Sequence, residues 1–237
     1  MPYHFHWAII GRDWPALARG LHITFEVTAV ALVAGLCLGV LLAVCRLSRS
    51  RWLAAFARGY VTVFRSVPLA VVLLTFFLVV PQLLVALLHL PPRTDIRLVS
   101  ALIAFSLFEA AYYAEIVRAG INAVPPGQAH AARALGMTRG QSMRFVVLPQ
   151  AFRAILPLLL TQAIILFQDS SLVYVIGLGD FFTIASNVGA RDGTTVELIV
   201  FAGACYFCVC TLLSAIVRRL QIRSGSTSTA RATSVTG

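Results

Sequence analysis

The chain has 237 residues, of which 59% are hydrophobic and only 12% charged. A soluble domain keeps roughly a quarter of its residues charged, so this composition excludes an ordinary water-covered globule. The formal charge of +10 rests on 19 basic residues, all of them Arg. A chain without Lys cannot carry the lysine of a Walker A phosphate loop, so any ATP hydrolysis belongs to another chain.

Apolar runs near or above the roughly 20 residues that cross a bilayer occur at about 21–45, 57–90, 97–119, 151–176 and 196–217. They predict an all-α membrane protein with about five transmembrane helices. The first run is too long for the core of a cleaved signal peptide, and no clear A-x-A site follows it, so it reads as a span. It carries Ala31, Gly35, Gly39 and Ala43 at four-residue spacing. Small residues in that register let two helix backbones approach closely in lipid; the neighbour is either another helix of this chain or a partner. The second run is too long for one straight helix, and Pro68 and Pro81 are expected to divide it. The five cysteines (Cys37, Cys45, Cys205, Cys208 and Cys210) all lie in or at the ends of apolar runs and read as packing residues.

Arginines separate by side. Thirteen fall in the loops after the first, third and fifth runs, five fall in the alternate loops, and Arg65 lies inside the second run. The Arg-rich side is the cytoplasmic one, which places the N-terminus outside and the C-terminus inside. No Arg cluster forms a single patch, so nucleic acid is not an expected partner. The tail 224–237 is Ser, Thr, Ala and Gly with one Arg; it has no apolar face to bury and reads as disordered. Residues 1–223 form one transmembrane domain.

The long cytoplasmic loop, about 120–150, reads as two short helices. Pro125 and Pro126 suit a helix start, Gly136 supplies a C-terminal stop, and Thr138 with Gln141 fits a capping box for the second helix. Pro149 is expected to close that helix. Ala129, Ala131 and Ala132 add little bulk, so a partner surface has close access to the backbone. Lipid binding through Arg133, Arg139 and Arg144 is the alternative.

Glu26, Glu109 and Asp169 are carboxylates at membrane depth, where an ionisable group is costly and faces a cavity or a partner. Gln168-Asp169-Ser170-Ser171 interrupts the fourth run downstream of Pro157 and suggests a broken helix lining a pathway. Structural hydrogen bonding is the competing reading for Asp169, and structure or solvent exposure is favoured for Glu26. No HExxH, GxSxG or glycine-rich phosphate loop is present, and the five histidines are scattered. No catalytic residue, metal site or cofactor is expected in this chain.

His130-Ala131-Ala132, three residues, Gly136, nine residues, then Val146-Val147-Leu148-Pro149 resembles the EAA loop of binding-protein-dependent ABC importer permeases. His130 stands where the motif has Glu, and Val146 where it has Ile. Phe64-Arg65-Ser66-Val67-Pro68-Leu69 and Gln168-Asp169-Ser170-Ser171-Leu172 resemble two further segments of the polar amino acid permeases. Asp95-Ile96-Arg97-Leu98, Phe108-Glu109-Ala110-Ala111-Tyr112-Tyr113 and Ala190-Arg191-Asp192-Gly193-Thr194 are most similar to the permease subunits of glutamate/aspartate importers.

The resemblance implies a type I ABC importer permease fold in a bacterial inner membrane. It implies a second permease subunit, two ABC ATPase subunits that supply ATP and Mg, and a periplasmic substrate-binding protein. His130, Ala131, Ala132, Gly136, Leu148 and Pro149 would form the ATPase-coupling loop. Arg65, Glu109, Gln168, Asp169 and Ser170 are the candidate pathway or substrate residues.

Overall fold

The computed structural model describes residues 5–48, 50–89 and 95–223. The tail 224–237, read above as disordered, lies outside these residues. Among the described residues all regular structure is helical. A short helix α1 (Ala8–Arg12) leads into α2 (Trp14–Leu47), followed by α3 (Arg51–Ser66), α4 (Leu69–Leu88) and α5 (Arg97–Ala123). The loop holds α6 (Pro126–Ala134) and α7 (Arg139–Ser142); then come α8 (Leu148–Asp169), α9 (Phe181–Asp192) and α10 (Thr195–Arg223).

Four stretches are long and apolar enough to cross a membrane, or five when the bent pair α3–α4 is counted as one span. The pair bends by 107° at Val67-Pro68, where Val67 is extended, as a residue before proline must be. Pro81, in contrast, stays inside α4. One missing N–H is tolerated in a span whose neighbours can re-satisfy the freed carbonyl, so the expected second division does not occur.

Helix α5 is the centre of the bundle and packs on α2, α3, α4 and α8. Its contact with α2 is made by the small-residue stripe. Ala31, Gly35, Gly39 and Ala43 are all buried. A Cβ on Gly39 would stand 2.6 Å from the Tyr113 Cβ and 3.0 Å from the Ala110 carbonyl oxygen, and one on Gly35 would stand 2.9 Å from the Glu109 Cβ. The neighbour left open by the sequence is therefore α5 of the same chain. Val27, Leu73, Ala104, Phe105, Leu166 and Val173 belong to the main core beside this contact.

Polar contacts fix which helix ends lie together. Arg46 at the end of α2 and Arg118 near the end of α5 both pair with Glu115. At the opposite end of the bundle, Arg12 and Asp13 pair with Arg191 and Asp192, and the His6 backbone N–H donates to Glu197 near the start of α10. Helices α2, α5 and α10 thus begin at one end of the bundle, and α8 returns between them, since Gln150 at its start bonds Gln128 of the loop.

Two helices were not expected. Helix α1 is a single turn. Helix α9 was legible in hindsight: the Asp180 carboxylate accepts from the Phe182 and Thr183 N–H groups, and Gly193 ends the helix at φ 68°. Its start is pinned to α2, where the Phe181 N–H donates to Thr24 Oγ1 and a Cβ on Gly20 would meet the Asp180 carbonyl oxygen at 2.8 Å.

Candidate functional site

The loop between α5 and α8 folds as a helix pair that projects from the bundle. Pro126 opens α6, where a missing N–H costs nothing. The stop is a Schellman cap: the Gly136 N–H donates to the Arg133 carbonyl, the Met137 N–H donates to the Ala132 carbonyl, and Gly136 takes φ 86°. The Thr138–Gln141 capping box is fully formed, with both reciprocal hydrogen bonds present.

Pro149 does not close this second helix. A π-helical turn over Met143–Val147 joins α7 to α8, and Pro149 lies in the first turn of α8. Proline has no N–H to give to the preceding turn, and the widened turn sits immediately before it. The second arm of the loop is therefore continuous with a spanning helix.

Of the expected loop residues, Ala132 is buried against the second arm, while His130, Ala131, Gly136, Leu148 and Pro149 are exposed. Nothing lies within 4 Å of a Cβ placed on Gly136. Sequence reasoning missed the largest apolar groups on this projection: Leu135 is 83% exposed and Phe145 61%. The available signal was a leucine at the tip of an otherwise polar turn. Arg144 lies over the Phe145 ring at 5.5 Å.

The second candidate set divides. In the fourth span the α-helix gives way to a 3-10 helix over Ser170–Ile176, so the expected break is a change of helix type. Gln168 is exposed, Asp169 is half-buried and Ser170 is buried with its hydroxyl donating to the Phe167 carbonyl. Glu109 has no exposed surface; the Gln162 side-chain N–H group faces its two oxygens at 3.2 and 3.3 Å. Glu109 is thus held in the α2–α5–α8 contact, and its placement favours the hydrogen-bonding reading. Arg65 is exposed at the α3–α4 bend, 5.5 Å from the centre of the Tyr112 ring. Arg65 and Gln168 are the two candidates that present a polar group at the surface of a broken helix.

At the end of the bundle opposite the α6–α7 pair, several charges are paired. Arg97 donates to Asp95 and, at 2.6 Å, to the Gly177 carbonyl, which ties the end of the broken span to the start of α5. These bonds hold the Asp95 carboxyl at about 2. Asp13 and Asp192 are likewise held below their ordinary range, chiefly by Arg191 and then by Arg12.

The family of binding-protein-dependent transport system inner membrane components matches residues 35–224, which includes the loop and both helix breaks. The chain belongs to this family. Its relatives include the glutamate/aspartate import permease protein GltK of Escherichia coli O6:H1, 55% identical over 94% of this chain and 99% of that protein. The arginine transport system permease protein ArtQ of Bacillus subtilis is 37% identical over 87% of this chain and 91% of its own. Among solved structures, an amino acid ABC transporter crystallised with histidines superposes with TM-score 0.81 at 30% identity, covering 94% of this chain and 100% of that one. The fold of this family member is therefore that of an ABC importer permease, and it is a multi-pass inner membrane component.

Proposed function

We propose that this chain is the transmembrane permease subunit of an ATP-driven importer whose cargo is glutamate or aspartate. The cargo rests on one observation: 55% identity to a glutamate/aspartate import permease across nearly the full length of both chains. The importer works with a second permease subunit, identical or related, with two ATPase subunits and with a periplasmic substrate-binding protein. ATP and Mg bind in the ATPase; this chain supplies no catalytic residue.

The projecting α6–α7 pair is the coupling element. Its cap keeps α6 short and rigid, its exposed Leu135 gives an apolar contact for an ATPase cleft, and its second arm runs without a loop into α8. A push on the pair is transmitted along α8 to the helix break at Asp169–Ser170. ATP binding that closes the ATPase pair biases this two-state element between inward and outward openings. Arg65, over Tyr112 at the other broken helix, is a candidate partner for a substrate carboxylate.

The testing experiment is a mild affinity isolation of the complex from native membranes, followed by an ATPase assay. An ATPase chain should copurify, and glutamate or aspartate with its binding protein should raise the hydrolysis rate. Stimulation by other amino acids alone moves the cargo to another polar amino acid, a reading that the 37% identity to an arginine permease keeps open. Absence of any ATPase under several mild conditions overturns the coupling role.

A further inference from the structure

Helix α3 carries Arg51, Arg58 and Arg65 within 16 residues, and neither the loop nor the helix breaks account for that pattern. At helical spacing its side chains sort onto four sides. Ala54, Ala57 and Val61 are buried and seat the helix on α2 and α5. Arg51, Arg58 and Arg65 follow one flank at two-turn spacing; Leu53, Tyr60 and Phe64 follow the other. Trp52, Phe56 and Val63 lie opposite the buried side and are 88%, 67% and 60% exposed. Among the described residues no large apolar side chain is more exposed than Trp52.

Two contacts show which way the flanks point. The Tyr60 hydroxyl donates to the Leu107 carbonyl at 2.7 Å, on the middle stretch of α5. Arg65, on the opposite flank, lies 5.5 Å from the centre of the Tyr112 ring, more than a turn nearer to Glu115. The apolar flank is therefore turned toward the middle of the bundle. The arginine flank is turned toward the end where Arg46 and Arg118 share Glu115. The 107° turn into α4 fits a helix that lies across its neighbours. An amphipathic helix in this attitude lies in the membrane interface with its basic side among the headgroups, a level at which tryptophan is also enriched.

Many exposed arginines at this end have no carboxylate beside them, so that property alone marks no site. Arg51 and Arg58 differ in their surroundings. They edge a strip of exposed small residues, Ala55, Gly59 and Thr62, with the Trp52–Phe56–Val63 wall beyond it. A Cβ on Gly59 would meet nothing within 4 Å, so the strip is open. Arg65 already faces the Tyr112 ring. Three like charges along the flank oppose packing against the same face of a second copy, whereas a guanidinium fork matches a phosphate in charge and geometry.

We infer that this face of α3 is a binding site for anionic phospholipid. Arg51 and Arg58 hold the headgroup phosphate, and the acyl chains lie against Trp52, Phe56 and Val63. The site needs only the membrane location of the chain and is independent of its cargo.

The test uses the complex isolated from native membranes and reconstituted in vesicles of phosphatidylcholine with a minority of phosphatidylglycerol. Phe56 is replaced by the photo-cross-linking residue benzoylphenylalanine, and the lipid adducts are identified by mass. Phosphatidylglycerol should be over-represented among them, relative to its share of the bilayer, by about five-fold or more, the factor that one arginine near an anionic surface supplies. Arg51→Gln with Arg58→Gln should return the adducts to the bilayer composition, and Arg51→Lys with Arg58→Lys should keep the excess. The same cross-linker at Leu78, which is 60% exposed on the arginine-free helix α4, should show no excess.

Adducts at Phe56 that match the bilayer composition overturn the site, and they do so with the native arginines in place, whether or not the glutamine pair assembles. An equal excess at Leu78 also overturns it. Adducts to another protein chain in place of lipid make the face a subunit interface. Loss of the excess on adding inorganic phosphate at matched ionic strength assigns the arginines to a free anion instead.

Discussion

Two glycines show how differently one residue type is used. Gly136 sits in open space at φ 86°, so its requirement is conformational. A β-branched side chain strains the left-handed backbone by about 1–2 kcal/mol without meeting any neighbour. Gly136→Val should therefore leave the thermal midpoint of the purified complex nearly unchanged but lower substrate-stimulated ATPase activity, because the strain acts on the cap of α6 alone. Unchanged ATP-driven uptake would remove the turn from coupling. Gly39 has the opposite need: ordinary helical backbone, but no room for a Cβ beside Tyr113. Gly39→Ala should destabilise by about 1–3 kcal/mol through overpacking, seen as a lowered midpoint in a thermal unfolding assay in detergent. Gly59→Ala, with nothing within 4 Å, should instead stabilise α3 by up to about 1 kcal/mol. The sequence made the Gly136 requirement visible through its neighbours, since the cap and the capping box are local. It could not say which helix Gly39 touches, because that contact joins residues far apart in the chain.

At the level of elements, α9 is fastened at one end to α2 and at the other to the α1–α2 junction. Its N-terminal end is buried against Gly20 and Thr24, and its C-terminal end is held by the alternating Arg12, Asp13, Arg191 and Asp192 charges. The pH dependence of that clamp follows from its carboxylates. Asp13 and Asp192 are held below the ordinary value of 3.8, so their contribution is complete above that value and is lost as pH falls through the lower, folded value. The protection factor against hydrogen exchange in the last turn of α9 should thus be flat between about pH 8 and 5 and should fall only below the ordinary carboxylate range. Because both arginines are more than half exposed, high salt should loosen the same turn at neutral pH. A fall in protection near pH 6 would assign control to some other group. Proline also reads differently by element: Pro68 breaks a helix, while Pro81 and Pro157 remain within helices. Sequence spacing alone does not separate these cases, because the outcome depends on what surrounds the carbonyl that loses its bond.

For the whole molecule, the pairing of helix ends shows which segments share a side, and the arginine bias predicts which side is cytoplasmic. The end that gathers Trp7, Asp13, Arg97 and Arg191 should then face outward, and the end that gathers Arg46, Arg118 and the α6–α7 pair should face the cytoplasm. In intact cells carrying a cysteine-free version, Trp7→Cys should react with a membrane-impermeant thiol reagent and Leu135→Cys should react only after the membrane is opened. Both positions are well exposed, so the reverse pattern would mean an inverted topology rather than a hidden site.

The sequence by itself determined the class of the protein: a low-charge, Arg-flanked, all-helical membrane chain with a capped helix pair in the long loop between α5 and α8. Those properties depend on composition and on residues within a few positions of one another, where apolar runs, caps and stops act locally. Only the tertiary structure decided that the small-residue stripe of α2 meets α5 and that Glu109 is enclosed by α2 and Gln162. It also showed that Pro149 begins a spanning helix. In lipid, whether a polar residue packs, pairs or faces water is set by which helices stand beside it, and that neighbourhood is built by contacts between distant parts of the chain.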